Sequence, residues 1–213
     1  SCGGRMVTTM DRYEADWRIV EAGWRVQVLG EGRKFPGALA GLGALRAEQP
    51  GLSDQVVPPF VVADAAGHAL GPIVDGDSVV LFNFRGDRAI EVSLAFESDA
   101  SFDRFGRVRV PGVCYAGMIL YDGDRHIPAE FLVSPATVSD TLSECLAQSG
   151  CTQFACAETQ KYGHITYFWN GNRSSKFSER NEVYLEIPSD RVPFDQRPWM
   201  KSAETADAVI AAI

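Results

Sequence analysis

The sequence predicts an α/β fold, a mixed and mostly parallel sheet with flanking helices, on three observations. Apolar runs of strand length alternate along the chain with segments of helical period. Gly, Pro and Asp-Gly pairs punctuate the joins, as turn chemistry requires. A hydrophobic content of 46% in 213 residues provides apolar surface for a sizeable core. Alternating strands and helices favour parallel pairing, because a parallel partner is reached only by a crossover.

The elements follow in order. Asp11 to Val28 has the period of an amphipathic helix, with Trp17, Val20, Trp24 and Val28 at steps of three and four and Gly30 and Gly32 as breakers. A second helix starts after Pro36, carries Leu39, Leu42 and Leu45 on one side, and stops before Pro50. The stretch PGLSDQVVPP is a loop. Phe60 to Ala63 and Ile73 to Phe84 read as strands with AAGH and DGDS turns, the run SVVLFNF being fit for a buried strand. A helix from about Asp87 to Phe96 follows, then a strand from Val113 to Tyr121. FLVSPATVSD reads as a connector, and Thr141 to Ala147 as a helix capped by Ser139 or Asp140. Strands at Gln153 to Ala157, His164 to Trp169 and Val183 to Ile187 complete the pattern, and ETADAVIAAI is helical. The best split into domains falls near Ser134 to Thr137, giving segments 1–134 and 135–213. The chain starts without Met in SCGGR and ends in a helical pattern without a stop signal, the look of an internal piece of a longer protein.

Composition narrows the function classes. A formal charge of -8 and a pI near 4.9 argue against nucleic acid or an anionic membrane as partner, since both demand a broad basic face. No apolar run approaches a membrane span and no leader precedes the first helix, so the expected location is cytoplasmic. Five cysteines, an odd number without CxxC spacing, are expected as reduced and mostly buried thiols. Three scattered histidines, His68, His126 and His164, offer no metal-ligand spacing, and no complete metal site is expected. There is no G-x-x-x-x-G-K-[ST] loop, and GALAGLGAL lies inside a helical pattern. Asp75-Gly76-Asp77 and Asp122-Gly123-Asp124 fit turns better than a phosphotransferase nucleophile, because the first precedes its apolar run.

The chemistry-bearing stretch is SVVLFNFRGDRAI, Ser78 to Ile90, where an apolar run breaks into Arg85, Gly86, Asp87 and Arg88. At the carboxyl end of a strand and just before a helix, guanidiniums at i and i+3 can converge on one phosphate or carboxylate. Structural ion pairs, Arg85 with Asp87 or Arg88 with Glu91, account for the pattern equally well. Two further cation groups accompany it. Gly3-Gly4-Arg5 and Asp11-Arg12 flank a short segment before the first helix, on flexible backbone, and Lys161 follows the strand TQFACA in ETQKY.

Taken together, GGRMVTTMDRYEADW, DGDSVVLFNFRGDRAIE, YAGMILYDGD, ACAETQKYGHITYFWNGN and VPFDQRPWMKSAE resemble the cofactor-independent phosphoglycerate mutases. The forms TMDRYEADW, NFRGDRA and FWNGNR are similar to the branch of plants, trypanosomatids and some bacteria, in the same order along nearly the whole chain. The resemblance implies two domains. Residues 1–134 would be the later part of a phosphotransferase, substrate-binding domain; 135–213 would begin the second, incomplete segment of an alkaline-phosphatase-like domain. It implies interconversion of 3-phosphoglycerate and 2-phosphoglycerate through a phosphoserine, without 2,3-bisphosphoglycerate, with two manganese ions, in a monomer. Residue by residue it implies that Arg5 and Arg12 bind substrate, Arg12 at the glycerate carboxylate, that Arg85 and Arg88 grip phosphate, and that Lys161 stabilises the transferred phosphoryl group beside the phosphoserine. Fixed cations around spread negative charge are what phosphoryl transfer needs. The serine motif and the Asp and His ligands of the manganese ions have no counterpart in this sequence, so the chain alone is expected to be inactive. A non-catalytic phosphometabolite-binding α/β domain is the alternative, and a folded piece that binds nothing is a third.

Overall fold

Helix α1 (Trp17–Trp24) begins at Asp16, whose side chain accepts the Arg18 N–H, and so starts six residues later than the periodicity from Asp11 suggests. It widens into a π turn, Arg25–Leu29, and stops at Gly30 in the left-handed region with φ 66°. The computed structural model describes residues 2–11, 14, 16–134, 136, 138–173 and 175–213.

These residues form two compact units, Ser1–Tyr121 with His126–Ser134, and Asp122–Arg125 with Pro135–Ile213. In the first unit, strand β1 (Arg33–Phe35) pairs in parallel with β2 (Phe60–Val62), and helix α2 (Ala38–Glu48) makes the crossover between them. Leu45, Leu52, Val57 and Phe60 form a core beneath α2, while Leu39 on the same helix is 86% exposed. Strand β1 has no apolar run, and the sequence reading did not anticipate it. A second sheet has the order β3-β4-β5, all parallel, from Ser78–Leu81, Cys114–Ile119 and Phe131–Val133. Between β3 and β4 lie a 3-10 turn, Gly86–Arg88, and helix α3 (Ile90–Glu97).

Two expectations fail in this unit, and a third fails along the chain. The run from Ile73 to Phe84 is a strand only over four residues, and its outer residues are not buried: Phe82 and Phe84 are 80% and 74% exposed. β3 pairs only with β4 among the described residues, which leaves its far side without a cover. FLVSPATVSD is not all connector, since its first three residues are β5, whose pairing to β4 is a long-range event. The cysteines are free as expected, but none is buried; Cys114, Cys145 and Cys151 are exposed and Cys2 and Cys156 half-buried.

The second unit is built on β6 (Gln153–Glu158) paired in parallel with β7 (Glu182–Ile187). Helix α4 (Leu142–Gln148) is capped by Thr141, which accepts the Glu144 N–H, in place of the expected Ser139 or Asp140. The Asp140 N–H in turn donates to the Glu144 carboxylate, a reciprocal cap. The segment HITYFW is not a strand. Helix α5 (Thr159–Ile165) starts directly at the end of β6 and runs into turns, with the Thr166 hydroxyl bonded back to the Tyr162 carbonyl at 2.8 Å. Its β-branched and aromatic residues favour a strand, but tertiary placement overrides that propensity. Helix α6 (Ser202–Ala212) closes the chain.

The core that positions the functional residues is the packing of α1 on α3. Val20, Trp24 and Val28 meet Val92 and Ala95, with Trp17, Phe96, Phe102 and Phe105 around them. Trp24 and Phe96 have ring centroids 4.9 Å apart. Burying such rings contributes on the order of 2–3 kcal/mol each. Because the loop before α1 and the turn before α3 both feed this contact, they are carried side by side.

Candidate functional site

The turn after β3 is built by local polar contacts. Asn83 donates its side-chain amide to the Arg85 carbonyl at 2.8 Å, and Gly86 lies so close to Tyr121 that a Cβ there would meet its carbonyl oxygen at 2.9 Å. Tyr121 itself is fully buried and donates its hydroxyl to the Leu81 carbonyl at 2.8 Å, tying the end of β3 in place. Burial holds the phenol above its ordinary pKa, so it stays a neutral donor.

On this frame Arg85 is exposed and Arg88 half-buried. Arg85 Nε lies 3.1 Å from Asp87 Oδ1, so one of the two structural ion pairs weighed from the sequence is present. The contact lacks hydrogen-bond alignment, and the Asp87 side chain is 3% exposed. Arg88 reaches across to the N-terminal loop, donating Nη1 to the Met10 carbonyl at 2.9 Å and Nη2 to Met6 Sδ at 3.7 Å.

Arg5 is exposed and donates Nε to Gln55 Oε1 at 2.6 Å. Its neighbouring glycines do not supply flexibility, contrary to the sequence reading. The Gly4 N–H donates to the Val57 carbonyl at 2.8 Å, and a Cβ on Gly4 would sit 2.5 Å from the Gln55 carbonyl oxygen. The glycine is there for close backbone approach. Further along, Thr9, at φ 70°, donates its N–H to the Ile19 carbonyl at 2.7 Å, and Gly23 on α1 leaves room for it. The segment from Gly4 to Met10 is thus fastened to the 55–57 turn, to α1 and to Arg88. Arg12 lies outside the described residues.

Arginine in this unit is not always available to a ligand. Arg107 donates to the Ala95 and Ser98 carbonyls at the end of α3, and Arg109 to the Val28 and Ile73 carbonyls. Both serve as helix-end and loop caps. Arg5 and Arg85 differ in presenting exposed guanidiniums.

Two buried carboxyls beside the loop escaped the sequence reading. Asp11 is 5% and Glu91 2% exposed. Glu91 Oε1 accepts the Glu14 N–H at 2.9 Å, and Asp11 Oδ2 accepts the Asp16 N–H. Burial, and then the adjacent Asp11 charge, push the Glu91 carboxyl up to about 8. A Glu one helical step after Arg-Ala-Ile looks like a surface position, and only the α1–α3 packing shows it to be interior.

In the second unit Lys161 is exposed on α5, three residues past the end of β6. The start of that helix is braced. The Thr159 hydroxyl donates to Glu186 Oε1 at 2.6 Å and accepts the Ser189 N–H at 3.1 Å, and the Gln160 N–H donates to the Ser189 hydroxyl. The two Asp-Gly-Asp segments are turns, as expected. Asp75 Oδ1 accepts the Gly112 N–H, and Asp122 Oδ1 accepts the Asp124 and Arg125 N–H groups. Among the described residues no three His, Cys, Asp or Glu side chains are grouped to hold a metal ion.

The fold and these side chains define an α/β protein of parallel sheets with arginines on the turn that leaves a strand's carboxyl end. Residues 1–123 match the family described as the BPG-independent PGAM N-terminus, and the chain belongs to that family. Over all 213 residues it is 60% identical to a 2,3-bisphosphoglycerate-independent phosphoglycerate mutase of Trypanosoma brucei brucei. It is 53% identical, over 215 aligned residues, to a probable enzyme of the same name from Arabidopsis thaliana. In each case the whole chain is covered, but it spans 38% of the relative's length. A crystal structure of Leishmania mexicana phosphoglycerate mutase, at low cobalt concentration, superposes with a TM-score of 0.93 at 55% identity, covering 99% of this chain and 38% of that one.

Proposed function

We propose that this chain supplies the substrate-holding residues of a 2,3-bisphosphoglycerate-independent phosphoglycerate mutase, which interconverts 3-phosphoglycerate and 2-phosphoglycerate through a phosphoserine. The observation that carries the reading is the 60% identity along the entire chain to a protein of that name. In this reading Arg85 and Arg88 grip the substrate phosphate, Arg5 assists, and Arg12 takes the glycerate carboxylate. Lys161 meets the phosphoryl group at the serine, where a fixed cation offsets charge that spreads over its oxygens in the transition state. The first segment, 1–134, belongs to the phosphotransferase domain and 135–213 to the phosphatase-like one.

The arrangement of Arg85 and Arg88 supports the division of labour. Arg88 is oriented by the Met10 carbonyl, and Arg85 keeps half of its side-chain surface open although it lies beside Asp87. The Asp87 carboxylate is buried, so an arriving phosphate would engage Arg85 through the face that it keeps open, without displacing Asp87. The family resemblance implies two manganese ions, but the described residues do not group to fit them. In this reading their ligands come from parts of the enzyme other than these residues. A cytoplasmic monomer acting on a small anionic substrate completes the reading, and no described helix is long and apolar enough to cross a membrane.

The test is turnover by the full-length enzyme containing this chain, followed by phosphorus NMR with 3-phosphoglycerate and no added 2,3-bisphosphoglycerate. Formation of 2-phosphoglycerate is expected. Binding of 3-phosphoglycerate without any isomerisation would instead identify a phosphometabolite-binding protein. The 213-residue chain alone should give no turnover, with or without manganese.

A further inference from the structure

Helix α5 begins without a cap of its own. Glu158 precedes its first residue, and the Glu158 side chain makes no capping hydrogen bond among the described residues. The helix is seven residues long and contains the β-branched Thr159 and Ile165 and a glycine, Gly163, so neither length nor propensity sustains it. What holds it comes from the end of β7 and the residues just beyond. The parallel register sets Glu158 opposite Ile187, which brings the chain leaving β7 beside the start of α5. There the Ser189 hydroxyl accepts the Gln160 N–H at 3.3 Å. The Thr159 hydroxyl accepts the Ser189 N–H at 3.1 Å and donates to Glu186 Oε1 at 2.6 Å. The result is a reciprocal cap, made between residues 29 positions apart instead of within one turn.

This clasp is anchored from its other side. Asp190, next to Ser189, lies 2.6 Å from Arg197 Nη1 and 2.9 Å from Lys201 Nζ, just before α6. Glu204, in the first turn of α6, meets the same two cations at 3.2 Å and 3.1 Å. Such pairs are weak singly, but charges that share partners form a network and hold the backbone at 190. The stretch VPFDQRPWMKSAE, to which the mutase reading gives no task, supplies Arg197, Lys201 and Glu204 to that anchor. Lys161 is the third residue of α5, directly after the two that are clasped. Its flexible stem gives the ammonium reach, and the backbone it leaves from sets where that reach is centred.

We propose that Thr159 and Ser189 are positioning residues for Lys161, clasping the first turn of α5 to the chain after β7 so that the ammonium meets the phosphoryl group in transit. The proposal rests on the mutase reading above. In it neither hydroxyl touches substrate, and both act through Lys161. Because Lys161 is read as offsetting charge that spreads in the transition state, its displacement lowers kcat more than it raises KM.

The test uses the full-length enzyme carrying Thr159→Val, Thr159→Ser and Lys161→Ala, assayed with 3-phosphoglycerate. Thr159→Val, which keeps the shape and loses the hydroxyl, should lower kcat about tenfold or more, with KM within about threefold of wild type and an unchanged circular dichroism spectrum. Thr159→Ser, which restores the hydroxyl, should return kcat to within about threefold of wild type. In a Lys161→Ala background Thr159→Val should lower kcat no further, since a residue that acts only through Lys161 then has nothing to place. A folded Thr159→Val enzyme with wild-type kcat overturns the proposal, and so does a loss that multiplies with that of Lys161→Ala. Should Thr159→Val not fold, Ser189→Ala, which removes only the acceptor of the Gln160 N–H, goes through the same cycle and the same two outcomes decide. If wild type does not isomerise 3-phosphoglycerate, or Lys161→Ala turns over as fast as wild type, the reading of the site fails and takes this proposal with it. Both results are distinct from a multiplying loss in a working enzyme.

Discussion

Arg85 and Arg88 stand three residues apart in the sequence and meet different partners. Arg85 lies beside a carboxylate yet keeps an open face, and Arg88 is braced on a backbone carbonyl from a segment 78 residues away. A guanidinium fork placed by two contacts is not replaced by the single point charge of an ammonium. Replacing Arg85 with Lys should therefore cost less than replacing Arg88 with Lys, because only Arg88 uses two arms of its fork to hold its own position. Steady-state kinetics of the two variants with 3-phosphoglycerate would test the order, and the reverse order would contradict it. Glu91 makes a second prediction at this scale. Its carboxyl stays protonated in the fold up to about pH 8, while in the unfolded chain it ionises in the ordinary range. Below that range both states hold the proton; as pH rises toward 8 only the folded state does, and its stabilisation declines, levelling off above 8. Thermal melts from pH 5 to pH 9 should show a slope that Glu91→Gln removes. The paired arginines were plain in the sequence, because charge after an apolar run stands out. Glu91 was not, since its burial follows from the contact of two helices far apart in the chain.

At the scale of elements, the loop before α1 is a packed structure and not a linker. Gly4 and Gly23 each admit a neighbouring backbone at a distance no Cβ permits, the latter with Thr9 Cα 2.8 Å away from where a Cβ would stand. Gly23→Ala should destabilise the protein by about 1–3 kcal/mol through overpacking, read as a lower midpoint in urea. A variant as stable as wild type would mean that the loop yields freely. Helix periods were readable wherever burial is one-sided: α2 runs over the residues its leucines and flanking prolines mark, and Gly30 ends the first helical segment as expected. Failures concentrate where long-range pairing decides. β1 and β5 are three-residue strands, the first without an apolar run and the second with one too short to mark a strand by itself, and their partners decide them. HITYFW has strand-favouring residues, but its first two end a helix whose start is braced by Ser189 and Glu186, contacts that no local pattern encodes.

On the scale of the molecule, parallel pairing in all three small sheets agrees with the α/β class read from alternating elements. The anion-binding assignment rests on a few arginines in a chain with net charge -8. A chain of that charge offers a small anion no long-range attraction, so in the proposed reading binding comes from contacts at the site. The substrate clamp proposed for Arg5, Arg12, Arg85 and Arg88 is the central claim, and Arg88→Ala in the full-length enzyme tests it most directly. Mutase turnover measured without 2,3-bisphosphoglycerate should fall by about two orders of magnitude or more, with the circular dichroism spectrum and melting temperature close to wild type. Near-normal turnover in that folded variant would contradict the clamp.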